Sequence, residues 1–307
     1  MFLSGLGTAT PTTRYTQAQC WDALTASEQL AHLTPRSQAI LRKVLKGNNG
    51  ICSRYLAFDH LSEAFALDPD VLDARFAKHA PVVAAQAATR ALADAGMAAG
   101  DIDAVIISTC TGYLCPGLTS YVSEQLGLRT DILALDLVGQ GCGAALPNMR
   151  TGEALIAAGR AGRVLSVCVE ICSAAMYLDD DAGVLISACL FGDGAGAAVL
   201  TAEPTPGRRR IEWKSAGTLL NPRDRDELRF ERRKGMLRNI LTPAVPALAA
   251  KHVDAVLNEC LRHEGLTAAD ISGWILHAGG REILSAIRQQ LNLSEDDTRW
   301  SAAILRD

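Results

Sequence analysis

GMAAGDIDAVIIST at residues 96–109 returns in altered form as GLTAADISGWILHA at residues 265–278. Asp101-Ile102 matches Asp270-Ile271, and Ile106 matches Ile275. Each copy then runs through a helical stretch to a similar end, QLGL at 125–128 and QLNL at 290–293. A glycine, an Asp-Ile pair and an apolar run read as a helix end, a turn and a strand. Two ordinary helix–turn–strand units can look alike by chance. The alternative is a duplicated half-fold.

Working outward, short apolar runs alternate with helical ones. The pattern predicts strands at Met1–Thr8, Ala104–Thr109, Ile132–Leu137, Arg163–Ile171, Ala195–Thr201, Ile211–Thr218 and Gly273–Leu276. AVIIST and VLSVCVEI are near-continuous apolar runs, as expected of strands covered on both faces. Helices are predicted at Pro81–Ala98, Thr119–Leu126, Gly143–Ala158 and Ala247–Arg262, with Pro81 suiting a first helical turn. This alternation predicts an α/β fold of layered helices and sheets. Residues 1–205 would form the first half and 206–307 the second. After Leu128 the first half continues through several more elements, whereas after Leu293 only 14 residues remain. The second half is therefore expected to be incomplete, with its final strands missing.

Composition bounds the function. Of 307 residues, 49% are hydrophobic and 21% charged, which excludes a disordered chain and allows a large core. The net charge of −4 offers no basic field for nucleic acid, and 5% aromatics offer no base-stacking surface. No apolar run reaches the ~20 residues of a membrane span, and the start lacks the basic and apolar regions of a signal peptide. A cytoplasmic protein is expected. The nine scattered cysteines contain no CxxC pair, so neither a zinc site nor a disulfide framework is expected.

Three motifs could carry chemistry. In DLVGQGCGAALPN, residues 136–148, an apolar strand ends and glycines flank Cys142 before a small-residue helix. Gly141 and Gly143 would permit a sharp turn, and the helix N-terminus would favour thiolate, a good acyl acceptor from a thioester. A buried cysteine in a glycine turn is the plainer reading. His277 ends the run GWIL and precedes Ala-Gly-Gly, where α/β folds place their sites. It could take the thiol proton or donate to a carbonyl or enolate oxygen, or be only a capping histidine. The other five histidines read as surface residues. In LFGDGAGAAV, residues 190–199, glycines suggest a tight turn presenting Phe191, without a nucleotide-binding or Walker pattern. A structural turn explains it equally.

Gly-Cys-Gly at 141–143, Phe-Gly-Asp-Gly-Ala at 191–195 and Trp-Ile-Leu-His-Ala-Gly-Gly at 274–280 stand in the order and spacing of chalcone-synthase-like type III polyketide synthases. Cys115-Pro-Gly and Glu170-Ile also resemble segments of that family. The resemblance covers essentially the whole chain. It implies a thiolase fold, two duplicated α/β halves in αβαβα layers with the second half truncated here, usually as a homodimer. It implies Cys142 as the nucleophile that takes a starter from acyl-CoA, His277 as its partner and part of an oxyanion hole, and Phe191 as a gatekeeper. Such enzymes extend the starter with malonyl-CoA by decarboxylative condensation and cyclise the product, without metal, carrier protein or any cofactor beyond CoA thioesters. They are acyltransferases.

The resemblance also implies departures. The family's asparagine donor belongs to a segment expected just after Asp307, so none is assigned. An oxyanion hole short of one donor implies a chain impaired by ~10²–10³ in rate, and unpaired strand edges imply aggregation. A second gatekeeper phenylalanine is expected near Met236–Arg238, where there is none. Cys172 and Ala175 match cavity-lining positions and are small, and Cys115 is placed at the pocket too. The reduced bulk suggests a wider cavity for fatty acyl starters and an alkylresorcinol or alkylpyrone product. Arg42, Lys43, Lys46 and Arg54 lie where the family binds CoA phosphates, though a solvated helix face would look the same. Arg208–Arg210 and the run Arg223–Lys234 read as surface. The rivals are a β-ketoacyl synthase III-like enzyme performing one condensation and a non-catalytic truncated paralogue. A papain-like hydrolase is weaker, since that fold is not duplicated.

Overall fold

The computed structural model describes residues 1–307 except Asn48 and Arg209. Arg209, within the basic run read as surface, thus lies outside the described residues. The strands are β1 (Phe2–Ala9), β2 (Arg14–Thr16), β3 (Ser53–Tyr55), β4 (Ala104–Thr109), β5 (Leu133–Val138), β6 (Arg163–Glu170), β7 (Gly194–Thr201), β8 (Ile211–Glu212), β9 (Leu228–Arg233) and β10 (Met236–Leu241). The α-helices are α1 (Gln17–Thr25), α2 (Pro35–Lys46), α3 (Pro69–Ala95), α4 (Leu118–Leu126), α5 (Ala145–Ala157), α6 (Ala182–Leu190), α7 (Val245–Glu264), α8 (Arg281–Gln290) and α9 (Arg299–Arg306).

Six strands form one sheet in the order β5-β4-β6-β7-β1-β8. β4 runs parallel to β5 and β6, while β7 is antiparallel to both β6 and β1. β4 is buried along its whole length because the sheet is covered on both faces. Val105 and Ile107 join the cluster of α3 alanines and Val122 of α4. Ala104 and Ile106 point the other way, into the cluster that includes Met149, Leu155 and Ile156 of α5. That alternation is the period of two that a strand imposes.

The approach of α3 to β1 is set by glycine. A Cβ on Gly5 would strike the Ala91 carbonyl, and one on Gly7 would strike the Ala87 carbonyl. Ala84, Ala87, Ala88, Ala91 and Ala95 of α3 have no exposed surface. Helix and strand therefore meet backbone to backbone.

The helix end and turn of the repeat match in three dimensions. Gly96 and Gly265 close α3 and α7 in the left-handed region, with φ of 67° and 68°. Behind each, a residue donates back across the turn, Met97 N–H to Leu92 and Leu266 N–H to Leu261. Asp101 then accepts from the N–H of Ala98, and Asp270 from that of Thr267, both at 2.8 Å. The ends match as well: Gly127 at φ 65° and Asn292 at φ 53° terminate α4 and the turn after α8.

The structure corrects several expectations. Pro81 does not begin a helix; it lies inside α3, which starts twelve residues earlier at Pro69, where the Asp68 carboxylate accepts from the N–H groups of Asp70 and Val71. The strand expected at Gly273–Leu276 has no ladder partner among the described residues, and Ile275 is 92% exposed. Of Ile211–Thr218 only Ile211–Glu212 pairs, antiparallel to β1. Beyond that pairing, residues 206–307 contribute the β9–β10 hairpin and helices α7 to α9, and no second large sheet occurs among the described residues. His79 and His252 are partly buried rather than surface, with His252 bonded to Asp224 at 2.9 Å. No helix among the described residues is long and apolar enough to cross a membrane.

Gly7→Ala should destabilise the protein by about 1–3 kcal/mol, because the added methyl has no space between β1 and α3. Urea unfolding followed by circular dichroism reads this directly.

Candidate active site

Cys142 sits where β5 turns into α5. Gly139 and Gly141 take φ of 81° and 57°, a region open chiefly to glycine, and a single 3-10 turn spans Gly141–Gly143. Gly143, expected to share in the turn, has an ordinary φ, so the sharp reversal is made by the glycines before the cysteine. Cys142 is exposed, at the head of α5.

The helix behind it is tied to the sheet by one buried amide. Asn148 has no exposed surface. Its Nδ2 donates to Ser108 Oγ at 2.8 Å and to the carbonyls of Val167 and Ile106, and its Oδ1 accepts from Ser166 Oγ at 2.8 Å. These bonds fix α5, and with it Cys142, over β4 and β6.

Glu170 closes β6 beside the cysteine. Its carboxylate accepts from the N–H groups of Cys110 and Thr111 and from the hydroxyls of Thr111 at 2.6 Å and Thr109 at 3.2 Å. The same charge acts on the thiols around it. Packing of protein atoms around Cys142 pushes its thiol up, and Glu170 adds to the effect. Cys110 is pushed far up by burial and then by Glu170, and Cys168 to about 11 for the same reasons in the same order. At neutral pH Cys142 therefore rests as a thiol.

Cys172, Ala175 and Phe191 line a cavity of about 20 Å³. The room left by the two small side chains is taken up by others. Tyr177 and Met176 line the same cavity, as does Phe230 of β9, which pairs with Asn239 in the hairpin. Asn239 holds the hairpin to α6 through Ser187 Oγ at 2.9 Å. Beneath, the Asp193 carboxylate accepts from the N–H groups of Ser173 and Ala57 and from Ser173 Oγ at 2.6 Å. Burial raises its pKa despite these bonds.

His277 is not bonded to Cys142. No side-chain hydrogen bond joins them among the described residues, and crowding of the imidazole lowers its pKa, leaving it neutral. Gly279 packs on its ring, where a Cβ would meet Nε2 at 2.9 Å, and Gly280 borders Leu190, the residue before Phe191. The histidine loop thus sits at the end of α6.

Two expected site residues lie elsewhere. Cys115 is exposed and does not line the cavity; its loop is bound to the edge strand β5 through Thr119 and Asp136. Arg54 is not a surface base for CoA. It is 7% exposed and donates to the carbonyls of Ala188 and Phe191, because the end of α6 supplies unpaired acceptors inside the protein. Arg42, Lys43 and Lys46 do project from α2 into solvent, with Lys46 over the Trp21 ring. Sequence reasoning missed Asn148, a lone amide in a small-residue helix, and Phe230, hidden in a charged run read as surface. No group of three or more His, Cys, Asp or Glu residues is arranged to hold a metal among the described residues.

A mixed sheet thus carries a cysteine at the turn into a covering helix, and comparison with known proteins identifies the class. Residues 9–217 match the family described as FAE1/type III polyketide synthase-like protein. The chain belongs to that type III polyketide synthase family, whose members are acyltransferases. It is 29% identical over 310 residues to a 3,5-dihydroxyphenylacetyl-CoA synthase of Streptomyces toyocaensis, covering 99% of this chain and 77% of that protein. It is 28% identical over 306 residues to a 1,3,6,8-tetrahydroxynaphthalene synthase of Streptomyces peucetius subsp. caesius, covering 97% and 79%. Among solved structures, PKS-I of the brown alga Ectocarpus siliculosus superposes with a TM-score of 0.88 at 25% identity, over 99% of this chain and 83% of that one. The 1,3,6,8-tetrahydroxynaphthalene synthase of Streptomyces coelicolor A3(2) has the same fold, with a TM-score of 0.89 at 24% identity over 100% and 86%.

Asn148→Ala should cost roughly 1–3 kcal/mol, since it removes the buried amide bonded to the Ser108 and Ser166 hydroxyls and to two carbonyls. Denaturant unfolding measures the loss, and Ser166→Ala should cost less.

Proposed function

We propose that Cys142 accepts a short acyl group from an acyl-CoA starter, and that the chain extends it with malonyl-CoA and cyclises the product. The observation that carries this is the turn itself: a cysteine lifted by Gly139 and Gly141 to the head of α5, within electrostatic reach of Cys172, which lines a cavity together with Phe191. The thiolate would attack the thioester carbonyl, and CoA would leave as its thiol. Since Cys142 rests protonated, a base must take its proton. His277, neutral at physiological pH, is suited to that task and then to donating toward the carbonyl oxygen, once its loop brings it within hydrogen-bond reach. Phe191 acts as the gate, and Arg42, Lys43 and Lys46 attract the CoA phosphates from α2.

The cavity favours compact starters over fatty ones. Phe230, Tyr177 and Met176 fill the space that Cys172 and Ala175 leave, and the relatives are named for dihydroxyphenylacetyl-CoA and tetrahydroxynaphthalene rather than for alkyl-tailed products. We also read residues 1–205 and 206–307 as the two halves of the fold, and the protein as a homodimer. Supporting the dimer, β5 is an edge strand whose Val138 is 47% exposed, and the Cys115 loop lies against it. A second copy added there would cover the edge.

Intact-protein mass spectrometry after incubation with acyl-CoAs of graded length tests the reading. A single acyl adduct is expected, largest with short starters and absent in Cys142→Ala. Folded protein that gains no adduct would point to a non-catalytic paralogue. A β-ketoacyl product from one condensation would point instead to a β-ketoacyl synthase III-like enzyme.

A further inference from the structure

Arg54 stands on β3, buried, with its guanidinium turned to the end of α6. Nη1 donates to the carbonyl of Ala188 at 2.7 Å and to that of Phe191 at 3.0 Å, and Nη2 reaches Cys20 Sγ at 3.4 Å. A helix C-terminus carries unpaired carbonyls and negative partial charge, so a buried cation suits it. Nε, however, is buried with no partner. Arg54 also lines a second cavity of about 50 Å³, walled mainly by Leu24, Leu41, Leu45 and Leu56. That cavity shares Met176 and Ala188 with the one at Phe191.

An orphaned donor and a void both weaken a fold. An apolar side chain filling the void would serve stability as well as the charge does. What the charge alone supplies is a hold on the Ala188 and Phe191 carbonyls, on either side of the residue pair that leads into the gate. Released, the end of α6 has an adjacent void to relax into, and Met176 is the common wall.

We propose that Arg54 is a positioning residue that holds Phe191 in the wall of the cavity and so limits the size of acyl group that reaches Cys142. The proposal rests on the reading of Phe191 as the gate. Its effect is on selectivity by size, not on the chemistry at sulfur.

The test compares wild type, Arg54→Met, Arg54→Lys, Phe191→Ala and the Arg54→Met/Phe191→Ala double variant, each checked for folding by thermal melting. Site-resolved mass spectrometry follows Cys142 alkylation by iodoacetamide and by N-hexyl iodoacetamide, and in parallel its acylation by acetyl-CoA and octanoyl-CoA. The long-to-short ratio should rise about tenfold in Arg54→Met, the scale on which pockets discriminate small changes in apolar size. Arg54→Lys, which keeps the charge, should fall between it and wild type. Phe191→Ala should raise the ratio too, with no further gain in the double variant, because both changes act on one gate. Folded Arg54→Met with the wild-type ratio would overturn the proposal, as would a double variant showing the product of the two single effects. If Arg54→Met does not fold, Arg54→Gln takes its place under the same criteria. Alkylation needs no enzyme chemistry. A shifted alkylation ratio with no acylation in any form would therefore refute the functional reading and leave the positioning role standing.

Discussion

Glu170 joins the ends of two strands through a single carboxylate. It receives two backbone N–H groups and the hydroxyls of two threonines from the last residue of β4 and the two that follow, so the turn at Cys110 and Thr111 is built around its charge. Hydrogen bonds to an ionised acceptor are the stronger kind. They fix the rim of the sheet beside Cys142. The same charge raises the thiols of Cys110, Cys142 and Cys168, adding to the effect of the protein atoms packed around them. Organisation of the site and protonation of its nucleophile thus have a common origin, and any base that activates Cys142 works against that charge.

Around this point the site is assembled from the ends of elements whose interiors are apolar. Asn148 anchors the nucleophile helix to β4 and β6, Asp193 anchors the Cys172–Ala175 turn to the loop before β7, and Arg54 anchors the end of α6. Each is a buried polar group bonded to backbone or hydroxyl atoms of a neighbouring element. Buried polar groups demand partners, so each one specifies an orientation that apolar packing alone would leave loose. Where Gly5 and Gly7 let α3 lie directly on β1, the sheet gains a rigid backing for these anchors.

Much of the fold was legible because it rests on local signals. The apolar runs of β4 and β6 reappear as strands, and the glycine before each Asp-Ile pair as a left-handed helix end. Pro81 misled, because a proline is tolerated inside a long helix whose packing against the sheet outweighs one lost hydrogen bond. The run Gly273–Leu276 has strand composition, yet a strand needs a neighbour, and composition does not supply one. The position of Cys142 was legible from its glycines. The filling of the cavity was not, since Phe230 enters from a hairpin 58 residues beyond Cys172 in a run dominated by charge. Arg54 reads as a surface base in sequence; only the tertiary placement of α6 gives it carbonyls to bind.

The most direct measurement is the pH dependence of Cys142 alkylation by iodoacetamide, resolved by peptide mass spectrometry, in wild type and Glu170→Gln. Because the protein atoms packed around the thiol and the Glu170 charge both disfavour thiolate, the wild-type midpoint should lie above the ordinary thiol value, and removal of the charge should lower it. A wild-type midpoint below the ordinary value, or one that Glu170→Gln leaves unmoved in folded protein, would contradict the account.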